Sequence, residues 1–362
     1  MGKKNSILAQ EYERNKYTLA NPAPWKKLAQ IKGEIFEQYR QLLKQAEEGE
    51  ILTDFPVEVL IKTTLNCNHK CPKCLHGMQV FPAGKKYNMS FETMKKVLDE
   101  GKEKGLMSIV FTGGEPTMHP QIKEFVEYAG KLGFPDISLI TNGAFLSEEL
   151  IDTLVETGLT RINVSIDSVT PETYLKTRGV DDYERCVANV KKLLAIRDRK
   201  GSTLPLLSVS FVLQEENITE LDAFIDFWEK YADGGIKIYP YKNVFSIADE
   251  QFKGTYGVGK VNADQLLDQD LPVAVSKDVP IMNKYHVKCS IPWYRCHVGI
   301  NGEIQGCTTQ GFCDHPEMVL GNIHESSFEE VWKSEKWNWL RKLTKNKEYD
   351  KHPVCRICQK SV

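Results

Sequence analysis

From residue 56 onward, short apolar and β-branched runs alternate with stretches of helical period. The runs VEVLIKTTL (57–65), MSIVFTGG (107–114), ISLITNG (137–143), RINVSID (161–167), LLSVSFVL (206–213) and IKIYPYK (236–242) predict six strands. Between them lie helices with recognisable ends: Ser90 before FETMKKVLDEGKEKG, and Ser147 before EELIDTLVETG, which closes on Gly158. Strand and helix in alternation make βαβ units, so the expected class is α/β with a parallel sheet. Six units are too few for a closed eight-unit barrel; an open barrel and a doubly wound sheet both fit.

Upstream, Trp25, Leu28, Ile31, Ile35, Tyr39 and Leu42 recur at spacings of three and four, predicting one amphipathic helix packed on the main body. Residues 243–288 show little periodicity, and the domain boundary is placed there. GTYGVG within that stretch lacks the preceding strand and following helix of a phosphate loop. The expected organisation is a lead-in over 1–55, an α/β domain over 56–242, a loop-rich connection over 243–288 and a cysteine-rich domain over 289–362.

Polar chemistry collects where strands end. Cys67 follows the first strand, Gly113-Gly114-Glu115 the second and Thr141-Asn142-Gly143 the third, while Ser165-Ile166-Asp167 ends the fourth. Parallel α/β folds build active sites at that edge.

The formal charge of −2 over 362 residues shows no basic excess, so neither nucleic-acid binding nor an anionic membrane partner is expected. No apolar run reaches membrane-spanning length and the start has no secretory core, so a cytoplasmic location is expected. Met1-Gly2 with Ser6 formally fits a myristoylation start, but the pattern is short and one acyl chain anchors weakly.

In a reducing compartment clustered thiols point to metal or catalysis. Cys67, Cys71 and Cys74 lie within eight residues, and six of the ten cysteines fall after residue 288. Taken alone, the first set suits a zinc ion with His69 or His76 as fourth ligand and an iron–sulfur cluster equally well.

The C-x3-C-x2-C string after a first strand, with FTGGEP after the second, resembles the radical S-adenosylmethionine (SAM) superfamily over residues 56–242. The resemblance implies a partial (β/α)6 barrel and a 4Fe–4S cluster held by Cys67, Cys71 and Cys74. Its fourth iron binds SAM, whose reductive cleavage gives a 5'-deoxyadenosyl radical. It further implies SAM contacts from Gly113, Gly114, Glu115, Thr141, Asn142, Ser165 and Asp167, with Arg178 toward the methionine carboxylate. Asn142-Gly143 equally reads as a turn, Ser165 and Asp167 as a helix cap, and Arg178 as a surface ion pair. One departure stands out: the family usually has an aromatic residue before the third cysteine, and this chain has Lys73.

CSIPWYRCHVGINGEIQGC, with CRIC downstream, is similar to the SPASM/Twitch extensions of that superfamily. Asn301-Gly302 signals a hairpin turn, and Gly302 stands five residues before Cys307. The resemblance implies a second, auxiliary 4Fe–4S cluster on Cys289, Cys307, Cys355 and Cys358, in the shorter Twitch form; a zinc ribbon on the same thiols is the alternative. Cys313 and Cys296 become candidate hydrogen donors to a substrate radical, whereas Cys186 fits a buried helical position.

The implied activity is dehydrogenation or epimerisation of a small polar substrate, a sugar or aminocyclitol, by a radical SAM oxidoreductase or epimerase. Such an enzyme needs an electron donor such as flavodoxin or ferredoxin. Maturation of a ribosomal peptide is the near alternative, and a non-catalytic zinc or iron–sulfur module the distant one.

Overall fold

The computed structural model describes residues 24–77, 87–240, 289–309 and 311–360. The expected boundary and the GTYGVG string lie outside the described residues. The six alternating runs form β1 (Glu58–Thr64), β2 (Ser108–Gly113), β3 (Asp136–Thr141), β4 (Arg161–Ser165), β5 (Leu206–Leu213) and β6 (Gly235–Pro240), each parallel to its neighbour. Alternation gives the sheet two faces. Val59, Ile61, Phe111 and Val209 pack outward on helices that contribute Met94, Phe125, Leu154 and Trp228 to one core.

The other face is polar where the strands begin. Ser108 Oγ donates to Glu58 at 3.1 Å and to Asp136 at 2.7 Å, and Arg161 Nε donates to Asp136 at 2.9 Å. Arg295 completes the belt by pairing with Glu58. Helices Pro24–Lys32 and Glu34–Glu48 lie against this end, burying Leu28, Phe36 and Tyr39 with Val57, Leu206 and Tyr294. The single helix expected there is two, because Gly33 adopts φ +70° and breaks it. The break changes the phase: Phe36, Tyr39, Leu43 and Ala46 face inward, while Ile31 and Ile35 are exposed.

The C-terminal residues continue the same sheet. β7 (Arg295–Val298) runs parallel to β1, and β8 (Glu303–Gln305) and β9 (Val319–Asn322) follow antiparallel, giving the order β6-β5-β4-β3-β2-β1-β7-β8-β9. The predicted hairpin turn is present, with Gly302 at φ +83° and its amide 3.0 Å from the Gly299 carbonyl. The second domain is thereby fixed to the first strand rather than tethered beside it.

Candidate active site

The loop after β1 that carries Cys67, Cys71 and Cys74 is held from several sides. The Gly114 amide donates to the Thr64 carbonyl and the Glu115 amide to the Asn66 carbonyl, each at 2.7 Å. The Lys70 amide donates to the Arg178 carbonyl at 3.1 Å, and Asn142 Nδ2 donates to Asn68 Oδ1 at 2.7 Å. A side chain at 114 would run into the Asn66 carbonyl, so only glycine lets the second strand end lie this close to the loop.

The three thiols feel one another's charge, and all three are half-buried. Burial pushes Cys67 up to about 12 and Cys71 up to about 11. A thiolate set in such surroundings needs a cation to hold it ionised, which suits iron coordination. His69 and His76, the histidines a zinc site would use, are engaged in the fold. His69 Nε2 lies 3.5 Å from the Tyr174 hydroxyl and 3.6 Å from Asp182, and His76 Nδ1 lies 3.1 Å from the Leu65 carbonyl.

The second and third strand ends meet at Glu115. Its Oε1 accepts from Thr117 N at 3.0 Å and from the hydroxyls of Thr117 and Thr141 at 2.5 Å, and its Oε2 accepts from Asn142 N at 2.7 Å. Burial raises its pKa against those four bonds. The Glu115 carboxylate, which the resemblance implies as a SAM contact, here ties β2 to β3, and the Gly113 and Gly114 backbone beside it is half-buried. Asn142 also makes the turn anticipated for it, its Oδ1 accepting from Ala144 N at 2.9 Å.

Asp167 has φ +63°, and its two oxygens part company: Oδ1 accepts from Val212 N at 2.7 Å and Oδ2 pairs with Arg178 at 2.7 Å. Arg178 is therefore no surface residue. It is half-buried beside Cys71, to which it also hydrogen-bonds, and although burial pulls its pKa down, Asp167 and Cys71 outweigh that and keep it charged. Ser165 accepts from Ser210 Oγ at 3.2 Å. Lys73, in the place of the usual aromatic, pairs with Glu216 at 2.7 Å.

The four C-terminal thiols form a second set. Cys307 and Cys355 each sense Cys289 and Cys358, and Cys307, Cys355 and Cys358 pack on Phe312, Met318, Leu340 and Val354. The Tyr349 hydroxyl accepts from the Cys289 amide at 3.0 Å. Burial lifts Cys307 to about 12.

The seven thiols expected as ligands are half-buried, whereas Cys186, Cys296 and Cys313 are buried. Cys186 is buried on the helix Tyr183–Arg199, in line with its sequence position, and its Sγ lies 3.2 Å from the Tyr174 hydroxyl. Cys296 stands level with Val59 in the helix-side core. Cys313 Sγ lies 3.2 Å from His297 Nδ1.

Three groups escaped the sequence reading: the pair of buried Lys62 with Asp314, His297 level with Leu60, and half-buried Lys237 on β6. Burial, then Arg161, lowers Lys237 to about 7. The only local signal was a lysine inside an apolar strand, in VLIKTT and again in IKIYP.

Comparison with known proteins agrees with this arrangement. A sequence model of the radical SAM superfamily matches residues 61–227, and one of the SPASM iron–sulfur cluster-binding domain matches residues 289–359. A tungsten-containing aldehyde ferredoxin oxidoreductase cofactor-modifying protein of Pyrococcus furiosus is 24% identical over 82% of this chain and 86% of its own. A probable GTP 3',8-cyclase of Saccharolobus islandicus is 34% identical over 47% of this chain, a match spanning 53% of the cyclase. Among solved structures, Streptococcus suis SuiB bound to precursor peptide SuiA has 17% identity and a TM-score of 0.57, with 98% of this chain and 83% of that one covered. SuiB has also been solved with S-adenosylmethionine. The chain belongs to the radical SAM superfamily and carries a SPASM domain, and its cofactors are accordingly 4Fe–4S clusters and S-adenosylmethionine.

Proposed function

We propose that the protein breaks a C–H bond of a small polar substrate held inside the barrel, using one SAM-binding cluster and one auxiliary cluster. The observation that carries this reading is the contrast of three neighbouring thiols on the loop after β1 with four in the C-terminal domain. Cys67, Cys71 and Cys74 would leave one iron open to SAM, and Cys289, Cys307, Cys355 and Cys358 would close theirs in the single-cluster Twitch manner. When bound, the open cluster and SAM supply a 5'-deoxyadenosyl radical.

The chain's own residues then orient and confine. Gly113 and Gly114 offer backbone at close range, and Arg178, fixed by Asp167, places a positive charge beside Cys71. Ser165 and Ser210 stand level across β4 and β5, and Lys237 is level with Ser210 on β6. This hydrophilic wall suits a substrate rich in hydroxyl or amino groups. Dehydrogenation needs an electron to leave the substrate radical for the auxiliary cluster; epimerisation needs a thiol to return a hydrogen atom. Cys313 is better placed for that than Cys296, which lies on the helix side of the sheet.

A second reading, modification of a larger cofactor or a peptide, draws on the Pyrococcus relative, which is aligned along most of both chains. Among the described residues no helix is long and apolar enough to cross a membrane. The test is anaerobic reconstitution followed by reduction with SAM present. About eight irons per chain and formation of 5'-deoxyadenosine are expected. Stoichiometric zinc without iron would end the enzyme reading. Deuterium transfer from labelled sugars, aminocyclitols or peptides then separates the substrate classes.

A further inference from the structure

The C-terminal domain presents a face to which this chemistry gives no role. A cavity of about 540 Å3 opens there, floored by Leu320 and Leu340 and flanked by Pro316, Lys336, Trp339 and His352. Trp339 is 46% exposed, and its ring lies 5.6 Å from that of the buried His352. His352 forms the inner wall. Its Nδ1 accepts from the amides of Val354 and Cys355 at 3.1 and 3.4 Å, fixing the start of the helix Pro353–Lys360 that carries Cys355 and Cys358. Leu340 belongs to the apolar cluster on which Cys307, Cys355 and Cys358 pack. Cavity and four-thiol set thus share one wall.

The charge around that wall departs from the rest of the chain. Residues 335–360 hold eight basic and three acidic side chains, in a protein whose formal charge is −2. Lys336, Lys342, Lys345, Lys347 and Lys351 are all exposed. Lys336 and Lys342 lie three positions before and after Trp339 on the helix Glu335–Asn346. Glu317 and Glu335 also line the cavity, so the positive charge surrounds it rather than filling it.

An exposed aromatic ring within a basic surround, over a wall that holds redox ligands, combines a small apolar contact with long-range steering. Those are the requirements of a brief electron-transfer encounter. We propose that this face docks a small acidic one-electron carrier protein, which exchanges one electron with the auxiliary cluster. The inference rests on reading Cys289, Cys307, Cys355 and Cys358 as that cluster's ligands. In the reduction that the test reads, one electron leaves the reduced carrier and enters the oxidised cluster; in a dehydrogenation, where the cluster has taken the substrate radical's electron, the same face returns that electron to an oxidised carrier, and in neither direction does a bond form or break or a proton move.

The test uses the reconstituted full chain and flavodoxin hydroquinone as probe, with cluster reduction followed by stopped flow and by freeze-quench EPR. Lys336→Glu/Lys342→Glu should slow the bimolecular step about tenfold and flatten its dependence on salt. Trp339→Gln should slow it several-fold while leaving the salt dependence in place. Dithionite, too small to need the face, should reduce every variant at the wild-type rate. Lys102→Glu/Lys230→Glu, exposed lysines on the barrel side, should behave as wild type. Unchanged rates in Lys336→Glu/Lys342→Glu, or equal slowing in the barrel-side control, would overturn the docking face. Those results leave the cluster reading intact if iron stays at about eight per chain; iron near four with an intact SAM-binding cluster would instead remove the auxiliary-cluster reading, and the docking proposal with it.

Discussion

Lys62 on β1 is ion-paired with Asp314, 252 positions away in the C-terminal domain; Lys62 is buried and the Asp314 side chain is 9% exposed. Gln305 adds a longer contact to the same carboxylate at 3.4 Å. Burial alone would raise Asp314, but Lys62 holds it down to about 2. Lys62→Met strands a carboxylate in a dry interface and should cost about 3–5 kcal/mol in denaturant unfolding of the full chain. Lys62→Met/Asp314→Leu should recover most of that loss, because the penalty arises from the unpaired charge. A double variant as unstable as the single would show that the interface depends on the pair itself.

The imidazole beside this pair should impose a pH dependence of the opposite origin. Burial, then Lys62, lowers His297 from 6.5 to about 3. Above pH 6.5 it is neutral both folded and unfolded, and its contribution is complete. As pH falls from about 6.5 toward about 3, the unfolded chain binds a proton that the native state refuses, and stability drops by up to about 1.4 kcal/mol per pH unit. His297→Gln should flatten that decline, as read from urea midpoints between about pH 7 and 5. An unchanged slope would mean that His297 is protonated in the folded protein.

The two thiol sets should fail differently. Cys71→Ala should lose the SAM-binding cluster, keep about four irons per chain and abolish 5'-deoxyadenosine formation. Cys358→Ala should lose the other four irons yet still cleave SAM on reduction, without turning over substrate. Cleavage surviving in Cys71→Ala, or vanishing in Cys358→Ala with the first cluster intact, would contradict the division of labour between them.

What the sequence disclosed follows from how local each signal is. β1 to β6 were legible because alternation is written within each run, and Gly113-Gly114-Glu115 and Thr141-Asn142 were legible because they follow those runs directly. The pairing of β7 with β1 was not: RCHV is four residues long, and its partner is more than 200 positions earlier. Lys62 with Asp314 and Arg178 with Asp167 and Cys71 are likewise products of tertiary closure, so the sequence marked the chemistry without its partners. Glu115 shows the converse limit. Its motif drew attention to the right strand end, but only the geometry shows the carboxylate spent on Thr117, Thr141 and Asn142.

The Asp167 and Arg178 pair offers a way to change the first cluster without removing a ligand. Asp167→Asn keeps an oxygen for Val212 N, so the bend at φ +63° should survive, asparagine being among the residues that tolerate it. The charge that neutralises Arg178 is lost, leaving the guanidinium beside Cys71 uncompensated. Extra positive charge near a cluster favours its reduced form, so the potential should rise by an amount on the order of tens of mV, with iron content unchanged. An EPR-monitored redox titration reads this directly, and the auxiliary cluster serves as internal control because its ligands lie in the other domain. A more negative potential, or an equal shift in both clusters, would show that Arg178 does not act on the first cluster through its charge.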